Sequence, residues 1–531
     1  MKTPQGFSVS YNNKLLYSKY NPQRSILQQI ENLEIKPGTI LLCCSPVLEY
    51  GLNELKEKLP ENCLIICCEF NSELLDFTKT NNPEFSNFIF PEIDELYQLP
   101  VILNSQNYAF KNGFIFENCS KYRRVIKLDF SSGVSECPQM YDQLAQACTN
   151  GIMTFWSNRI TLTKFGRLYS KNFFSNLKHL SETKPIQNYF GKIEKPVVIF
   201  GAGESLEKGA ETLKNNHQDF YILCADTALQ ALQKYNIHVD GVFIEEAQSV
   251  ILQAFRGSLS GNYTVFAGLS SVTTLLHLIP ASRISFFTTK YTQGQFLNEL
   301  TQLQLLPPEN NAFGSVGLTL FYYALKFRKD ESVPVFAYGL DFSYSTGKTH
   351  AKGTYASDNL LYISNRLKPG FNFNAAFLNN AGTITDAFGN TVTSTPVLHK
   401  YSVLFNEYFS QVKNAYSGTK SGLVSVLPYK SPEEAFNSTK ENHIATDSYS
   451  KDFETQLQNY FEKEKNALNE IKNILTGQTP IEESALEETL TSLIKKREYL
   501  YLHFADGYEY KYSQSFLNRI RTEIDFFLKV F

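Results

Sequence analysis

Six short apolar runs mark the middle of this chain: Val197–Phe200, Phe220–Cys224, Gly241–Ile244, Tyr263–Ala267, Ile284–Thr288 and Val333–Tyr338. Each is too short for a core helix and apolar on successive residues, so both faces of each strand must be covered. Between them, Leu206–Lys214, Thr227–Tyr235, Ser271–Ile279 and Ser315–Phe327 carry helical spacing. Strand–helix alternation of this kind predicts an α/β fold with a doubly wound, mostly parallel sheet. Ligands in such sheets bind outside the carboxyl ends of the strands. The residues just after each run are therefore the candidates for function.

The first run ends in Gly201-Ala202-Gly203-Glu204-Ser205. A strand, a glycine turn and a helix opening at Ser205 place backbone N–H groups and a helix N-terminus beside a loop. That arrangement favours an anion, so a nucleotide or another phosphate-bearing small molecule is expected. Leu206 stands where a dinucleotide fingerprint needs its third glycine, which argues against a standard NAD site. A strand-to-helix turn also needs glycine for purely structural reasons.

Other strand ends add polar groups. Asp226 and Thr227 follow the second run, where Asp226 serves either as a helix cap or as a ribose contact. Glu245 and Glu246 follow the third; being adjacent, they face opposite sides and one of them reaches the pocket. Lys290 and Tyr291 follow the fifth. Gly314 and Ser315 open a very apolar helix, where Ser315 caps or lets a ligand approach. After the last run comes a polar loop from Asp341 to Gly353, with Tyr344, Lys348, His350 and Lys352. A histidine near neutral pKa suits deprotonation of a hydroxyl, which makes His350 the candidate base. Lys348 and Lys352 can hold phosphate or carboxylate. The chain has no Asp-x-Asp pair. A donor whose leaving group is a nucleoside monophosphate needs less metal help than a diphosphate, because hydroxyl and N–H donors can stabilise it.

Length and composition set the surroundings. At 531 residues the chain exceeds one hydrophobic core. The pattern predicts an N-terminal α/β domain over 1–130, a helical connector and linker over 131–195, a central domain over 196–428 and a C-terminal helical domain over 448–531. In the first domain, Gly38–Cys44, Cys63–Cys68 and Tyr122–Phe130 read as strands, with helices over Val47–Leu59 and from Asn71. Residues 134–182 read as helical with a break around Thr161 to Phe165; Thr183–Pro196 and Pro428–Asp447 read as linkers. In the last domain Phe453, Leu457, Tyr460 and Phe461 form one stripe, and Leu486, Leu490, Leu493 and Ile494 another. A net charge of -3 offers no global attraction for nucleic acid. The nine cysteines lack zinc-site spacing and read as buried free thiols in a reducing compartment. No signal-like apolar region opens the chain and no run is long enough to span a bilayer, so a soluble cytoplasmic protein without membrane insertion is expected. The 42 Phe and 31 Tyr residues point to large aromatic cores.

The run Lys195-Pro-Val-Val-Ile-Phe-Gly-Ala-Gly-Glu-Ser-Leu, the segment Cys224-Ala-Asp-Thr-Ala-Leu, Gly314-Ser-Val, and Gly339-Leu-Asp-Phe-Ser-Tyr with Gly347-Lys-Thr-His-Ala-Lys-Gly together resemble the motility-associated factor (Maf) family of flagellin glycosyltransferases. The resemblance runs from about Tyr122 to residue 430 and includes Asn158, Thr161, Asn172 and Asn176. It implies a central domain similar to bacterial sialyltransferases. The implied reaction is inverting transfer of a nonulosonic acid, of the pseudaminic or legionaminic type, from a CMP-activated donor to Ser or Thr hydroxyls of flagellin. Carried onto this sequence, Gly201, Ala202, Gly203 and Ser205 cradle the donor phosphate or ribose, and Asp226 and Thr227 contact the nucleotide. Glu246, Gly314, Ser315 and Lys352 complete the donor site. Tyr344 stabilises the departing phosphate. The sialyltransferase base histidine lies farther along its chain than His350, so Asp341 and His350 join Tyr344 in the catalytic set on the chemistry of the loop itself. No cofactor is obligatory, no metal site is implied, and a divalent cation is at most stimulatory. Glu204 stands where the family usually has proline, and Val316 follows Ser315 where the sialyltransferases have glycine. Two alternatives stay open: a pterin diphosphokinase-like enzyme using ATP and magnesium, and a non-catalytic flagellin-binding protein.

Overall fold

A computed structural model describes residues 1–82, 87–103, 107–367, 369, 381–436 and 440–531. The chain forms two compact units, Met1–Lys164 and Phe165–Phe531.

The first unit contains a parallel three-stranded sheet. Its central strand β1 (Thr39–Cys44) lies between β2 (Leu64–Cys68) and β3 (Arg124–Asp129). Every residue of β1 is buried, as its unbroken apolar pattern requires. Cys43 pairs in register with Cys67 and Cys44 with Cys68. All nine cysteines are free thiols, and burial pushes those of Cys43, Cys44, Cys67 and Cys68 upward, away from the reactive thiolate.

The carboxyl edge of this sheet is filled by the chain itself. The buried Glu69 carboxylate accepts from Ser45 Oγ at 2.7 Å, Tyr141 Oη at 3.0 Å and the Asn71 amide at 2.9 Å. Ser131 Oγ donates to the Ser45 carbonyl at 2.7 Å, and the Ser132 amide to the Leu16 carbonyl at 3.0 Å. The place where an α/β sheet ordinarily receives a ligand holds an internal polar network.

A 41-residue helix, α1 (Pro138–Lys178), runs unbroken through Thr161–Phe165, which corrects the expected interruption. The threonines do not break it because their hydroxyls bond within it. Thr161 Oγ1 donates to the Ser157 carbonyl at 3.0 Å and Thr163 Oγ1 to that of Arg159 at 2.8 Å.

The second unit is built on an eight-stranded sheet, parallel at every pairing. The strands in chain order are β4 (Val197–Phe200), β5 (Tyr221–Ala225), β6 (Gly241–Ile244), β7 (Thr264–Gly268), β8 (Ile284–Thr289), β9 (Glu309–Asn310), β10 (Val335–Tyr338) and β11 (Ala415–Ser417). Across the sheet they lie β9-β8-β7-β6-β5-β4-β10-β11. The chain winds outward from β4 in one direction and then returns to the other side of β4 with β10. The carboxyl ends of β4 and β10 thus flank the topological switch point. The helices α2 (Leu206–Leu213), α3 (Leu229–Lys234) and α4 (Val316–Phe327) connect strands. Beyond β10 come α5 (Tyr355–Ile363), a hairpin pairing Gly382–Thr385 with Thr391–Ser394, and α6 (Pro396–Tyr408). The sheet core is aromatic: the Phe243 ring stacks on Phe266 at 4.8 Å between centroids, and Tyr323 and Phe327 of α4 cover them.

The two segments expected to be linkers pair with each other. Asn442 Oδ1 accepts from the amides of Glu194 and Lys195, and the Ala445 amide donates to the Asn188 carbonyl. The helices α7 (Lys451–Leu475), α8 (Glu483–Ile494) and α9 (Gln514–Phe527) end the chain within the same unit. Buried Arg497 grips buried Glu464 with two parallel bonds, Nε–Oε1 at 2.8 Å and Nη2–Oε2 at 2.9 Å, and Tyr499 donates to the same carboxylate. Replacing Arg497 alone strands a buried charge. Arg497→Met is expected to cost about 3–5 kcal/mol in urea unfolding. The double change Arg497→Met with Glu464→Leu should recover much of that loss.

Candidate functional site

The glycine turn after β4 is shaped by the loop after β10. The Gly201 amide donates to the Tyr338 carbonyl at 2.8 Å and the Gly203 amide to the Gly339 carbonyl at 2.9 Å. A Cβ on Gly201 would strike the Gly339 carbonyl, and one on Gly203 the Asp341 carboxylate. The glycines permit two backbones to touch. At the α2 N-terminus, the Ser205 amide donates to Asp341 Oδ2 at 2.9 Å, and the Ser205 hydroxyl accepts from the Gly339 amide at 2.7 Å. The anion that the helix end favours is thus supplied here by Asp341. Burial pushes the Asp341 carboxyl up to about 6, against the opposing pull of the Ser205 contact. The amides of Gly201, Gly203 and Ser205 are engaged in this lock; those of Ala202 and Glu204 are not part of it.

The same loop is strapped along α2. Glu204 Oε2 accepts from the Ser345 amide at 3.1 Å, and Lys348 Nζ bridges Glu204 at 3.1 Å and Glu207 at 3.0 Å. The Ala351 amide donates to the Ala202 carbonyl at 2.9 Å, and the Lys352 amide to Glu207 Oε1 at 2.7 Å, while the Lys352 residue is exposed. Burial pushes the Glu204 carboxyl up, but Ser345 and Lys348 outweigh it and leave it below the ordinary range. A carboxylate in the glycine turn is therefore a fastening for the loop, and its charge is spent on Lys348.

Acidic groups gather at the neighbouring strand ends. Asp226 is buried after β5, and its Oδ1 accepts from the Thr227 amide at 2.6 Å. Burial, then the fields of Glu246 and Glu245, push it up to about 7, with the Thr227 contact opposing. Glu245 accepts from Thr289 Oγ1 at 2.6 Å and Thr319 Oγ1 at 2.7 Å; burial raises its pKa against those two bonds. Glu246 turns the other way and accepts from the Gln248 amide at 2.8 Å. From Glu245 the network passes through Thr289 to Asn310 and the hydroxyl of Tyr323. Thr289, Asn310, Thr319 and Tyr323 do not stand out in the sequence; the available signal was the few hydroxyls, Thr319 among them, in the otherwise apolar helix α4. Lys290 pairs with Glu309, and the Tyr291 hydroxyl meets that of Ser170. Asn172 and Asn176 of α1 brace this edge from below, donating to the carbonyls of Ala247, Ser270, Leu269 and Ser271.

Ser315 caps α4, its Oγ accepting from the Gly317 amide at 3.3 Å, and Gly314 holds a φ of +74 beside the Tyr401 ring. Tyr344 pairs its backbone with Thr393, is 2 % exposed, and keeps its hydroxyl buried with no hydrogen-bond partner. His350 Nδ1 lies 3.1 Å from Thr349 Oγ1, and burial holds its imidazole below the usual histidine range. Among the described residues no three His, Cys, Asp or Glu side chains converge as a metal-ligand set, and no helix is long and apolar enough to cross a membrane.

A solved structure of the MAf glycosyltransferase from Magnetospirillum magneticum AMB-1 superposes on 98% of this chain and 89% of its own, with a TM-score of 0.51 and 11% sequence identity. The chain has the fold of that glycosyltransferase. A family model described as 6-hydroxymethylpterin diphosphokinase MptE-like matches residues 171–347, from the end of α1 through β10 and Tyr344. That match stops before His350 and α5. An uncharacterized protein of Treponema pallidum (strain Nichols) is 29% identical over 556 aligned positions, covering 100% of this chain and 94% of the relative.

The elevated Asp226 carboxyl has a consequence for stability. Its folded pKa lies above the unfolded value of about 3.9, so the folded state holds the proton more tightly. Asp226 is therefore neutral to stability in acid. Its penalty grows as pH rises from the unfolded value to about 7 and stays constant above that. Asp226→Asn keeps an acceptor for the Thr227 amide and removes the charge. It should raise stability at pH 8 by a few kcal/mol and leave it unchanged at pH 3, read by denaturant unfolding across pH.

Proposed function

We propose that this protein is an inverting glycosyltransferase that moves a nonulosonic acid from a CMP-activated donor to a Ser or Thr hydroxyl of flagellin. The observation that carries the reading is Tyr344. A buried hydroxyl without a partner costs about 1–3 kcal/mol, and this one sits on the loop leaving the strand at the switch point. Such a donor is held ready for an oxygen that arrives with a ligand. The shared fold with a glycosyltransferase supports the reaction class.

In this reading the donor lies across the carboxyl edge between the glycine turn and Asp226. The amides of Ala202 and Glu204 take the phosphate, since the lock consumes the others. Asp226 and Thr227 face the nucleotide, and Gly314 and Ser315 border the sugar. Lys352, whose side chain is not needed by the α2 strap, adds a positive charge. The acceptor oxygen attacks the anomeric carbon and its proton passes to His350. The bond from that carbon to the phosphate oxygen breaks, and CMP departs with the electron pair while Tyr344 donates a hydrogen bond to it. Nδ1 of His350 is engaged by Thr349, which leaves Nε2 for the proton. Depression of the imidazole pKa keeps it unprotonated, and so able to accept a proton, at neutral pH. Asp341 acts by holding the turn in place.

A second reading follows from the family model over residues 171–347: transfer of diphosphate from ATP to a hydroxymethylpterin, a reaction that uses magnesium, for which Glu245, Glu246 and Asp341 are the carboxylates at this edge although they do not converge as a ligand set among the described residues. Calorimetry separates the two. CMP should bind in EDTA, and tight ATP binding that needs magnesium, without CMP binding, would establish the second reading instead. With a CMP-sugar and intact flagellin, His350→Ala should slow single-turnover transfer by about 10²–10⁴ while CMP affinity survives. Tyr344→Phe should slow it less. The acid limb of the wild-type pH–rate profile should fall below the ordinary histidine range. Wild-type rates in His350→Ala would remove the histidine from the reaction.

A further inference from the structure

Two polar helix faces look at each other across an open groove in the second unit. Gln230, Gln233 and Lys234 on α3 form one wall, and Tyr355, Asp358, Asn359 and Tyr362 on α5 the other. The spacings i, i+3, i+4 and i, i+3, i+4, i+7 put each set on a single helix face. Gln253 and Arg256 close one end, and the groove encloses about 720 Å³, a size common for ligand sites of roughly 300–1,000 Å³. A stripe at this spacing ordinarily packs into a core, yet here the walls join directly through the Lys234–Asp358 ion pair.

The amides are held in fixed orientations. Gln230 Nε2 donates to the carbonyls of Gln253 at 2.9 Å and Arg256 at 3.1 Å, which leaves its Oε1 as an acceptor. Gln233 Oε1 accepts from Ser258 Oγ at 2.5 Å, which leaves its Nε2 as a donor. Tyr362 is 90 % exposed. Tyr355 and Tyr362 are two helical turns apart on one face, roughly 10 Å. The ion pair cancels its own charge, and Arg256 alone adds a positive one. Fixed amide donors and acceptors, two separated aromatic faces and little net charge fit rings that are apolar on one face and hydroxylated at the edge.

The groove also adjoins the candidate donor site. Gln230 lies about one helical turn beyond Asp226, and α5 follows the loop whose Ala351 amide is tied to the Ala202 carbonyl. We infer that this groove between α3 and α5 is an oligosaccharide subsite, which holds sugar already present on the acceptor. The inference rests on the glycosyltransferase reading for the word acceptor, whereas binding of sugar by the groove is independent of it.

The test is binding of the full chain to an immobilised array of defined oligosaccharides, with CMP binding measured on the same preparations. Wild type should bind a subset of the array. Tyr362→Ala, at a fully solvated position that folding does not need, and the Tyr355→Ala/Tyr362→Ala double variant should bind it about ten-fold more weakly or not at all. Tyr362→Phe should retain binding, and CMP affinity should be unchanged in every variant. A wild type that binds no oligosaccharide, or variants that bind as wild type does, would overturn the proposal. So would a Ser/Thr-rich peptide that binds in place of every sugar and is lost in the same variants. Sugar binding without CMP binding would sustain the groove and sink the donor reading; CMP binding without sugar binding would do the reverse.

Discussion

The contact between two backbones at the switch point organises the second unit. Gly201 and Gly203 meet Gly339 and Asp341 so closely that no side chain fits between them. Because the turns touch, the Asp341 carboxylate reaches the α2 N-terminus and the Ser205 hydroxyl reaches the Gly339 amide. Once those bonds are made, the loop from Asp341 onward leaves in one direction only. Glu204, Glu207 and Lys348 then bind it along α2. The positions of Tyr344, His350 and the first turn of α5 all descend from that single approach.

The arrangement divides polar groups into those that hold the edge and those left over. Asp341, Ser205, Glu204 and Lys348 hold the loop; Asn172 and Asn176 hold the strand-end turns; Glu245, Thr289, Thr319, Asn310 and Tyr323 hold β6, β8, β9 and α4 together. Among the described residues, those left over at this edge include Tyr344 with its unpartnered hydroxyl, His350 with one ring nitrogen uncommitted, and Asp226 with a carboxyl raised by burial and neighbouring acids. Perturbed or unsatisfied groups on a rigid scaffold are where chemistry is concentrated. The first unit offers the contrast, since the equivalent edge of its sheet spends Glu69, Ser45, Ser131 and Tyr141 on one another.

Much of the fold is written in local pattern. Val197–Phe200 and Gly241–Ile244 are strands over the residues their apolar runs span, because a strand covered on both faces admits nothing else. Asn71 and Ser315 cap their helices as their side chains favour. The break expected near Thr161 fails for a reason that is also local: threonine hydroxyls satisfied inside a helix do not interrupt it. The short strands β9 and β11 escape the pattern, since two or three residues carry no period and are ordered by the neighbour they pair with.

Residue types and their order were enough to mark the strand ends as the polar edge and to place Tyr344, His350 and Asp226 there, because periodicity and turn chemistry act over a few positions. They could not say which of those groups would be consumed. Glu204 next to a glycine turn reads as a conflict with phosphate until Lys348, 144 residues later, is seen to neutralise it. Asp341 reads as one member of a catalytic set, and only the fold puts its carboxylate on the Ser205 amide across 136 residues. The groove between α3 and α5 has no local sign at all, for it exists only where two helices distant in sequence face each other across the Lys234–Asp358 ion pair. Partnership between polar groups is settled by which backbones approach, and that is a property of the folded chain.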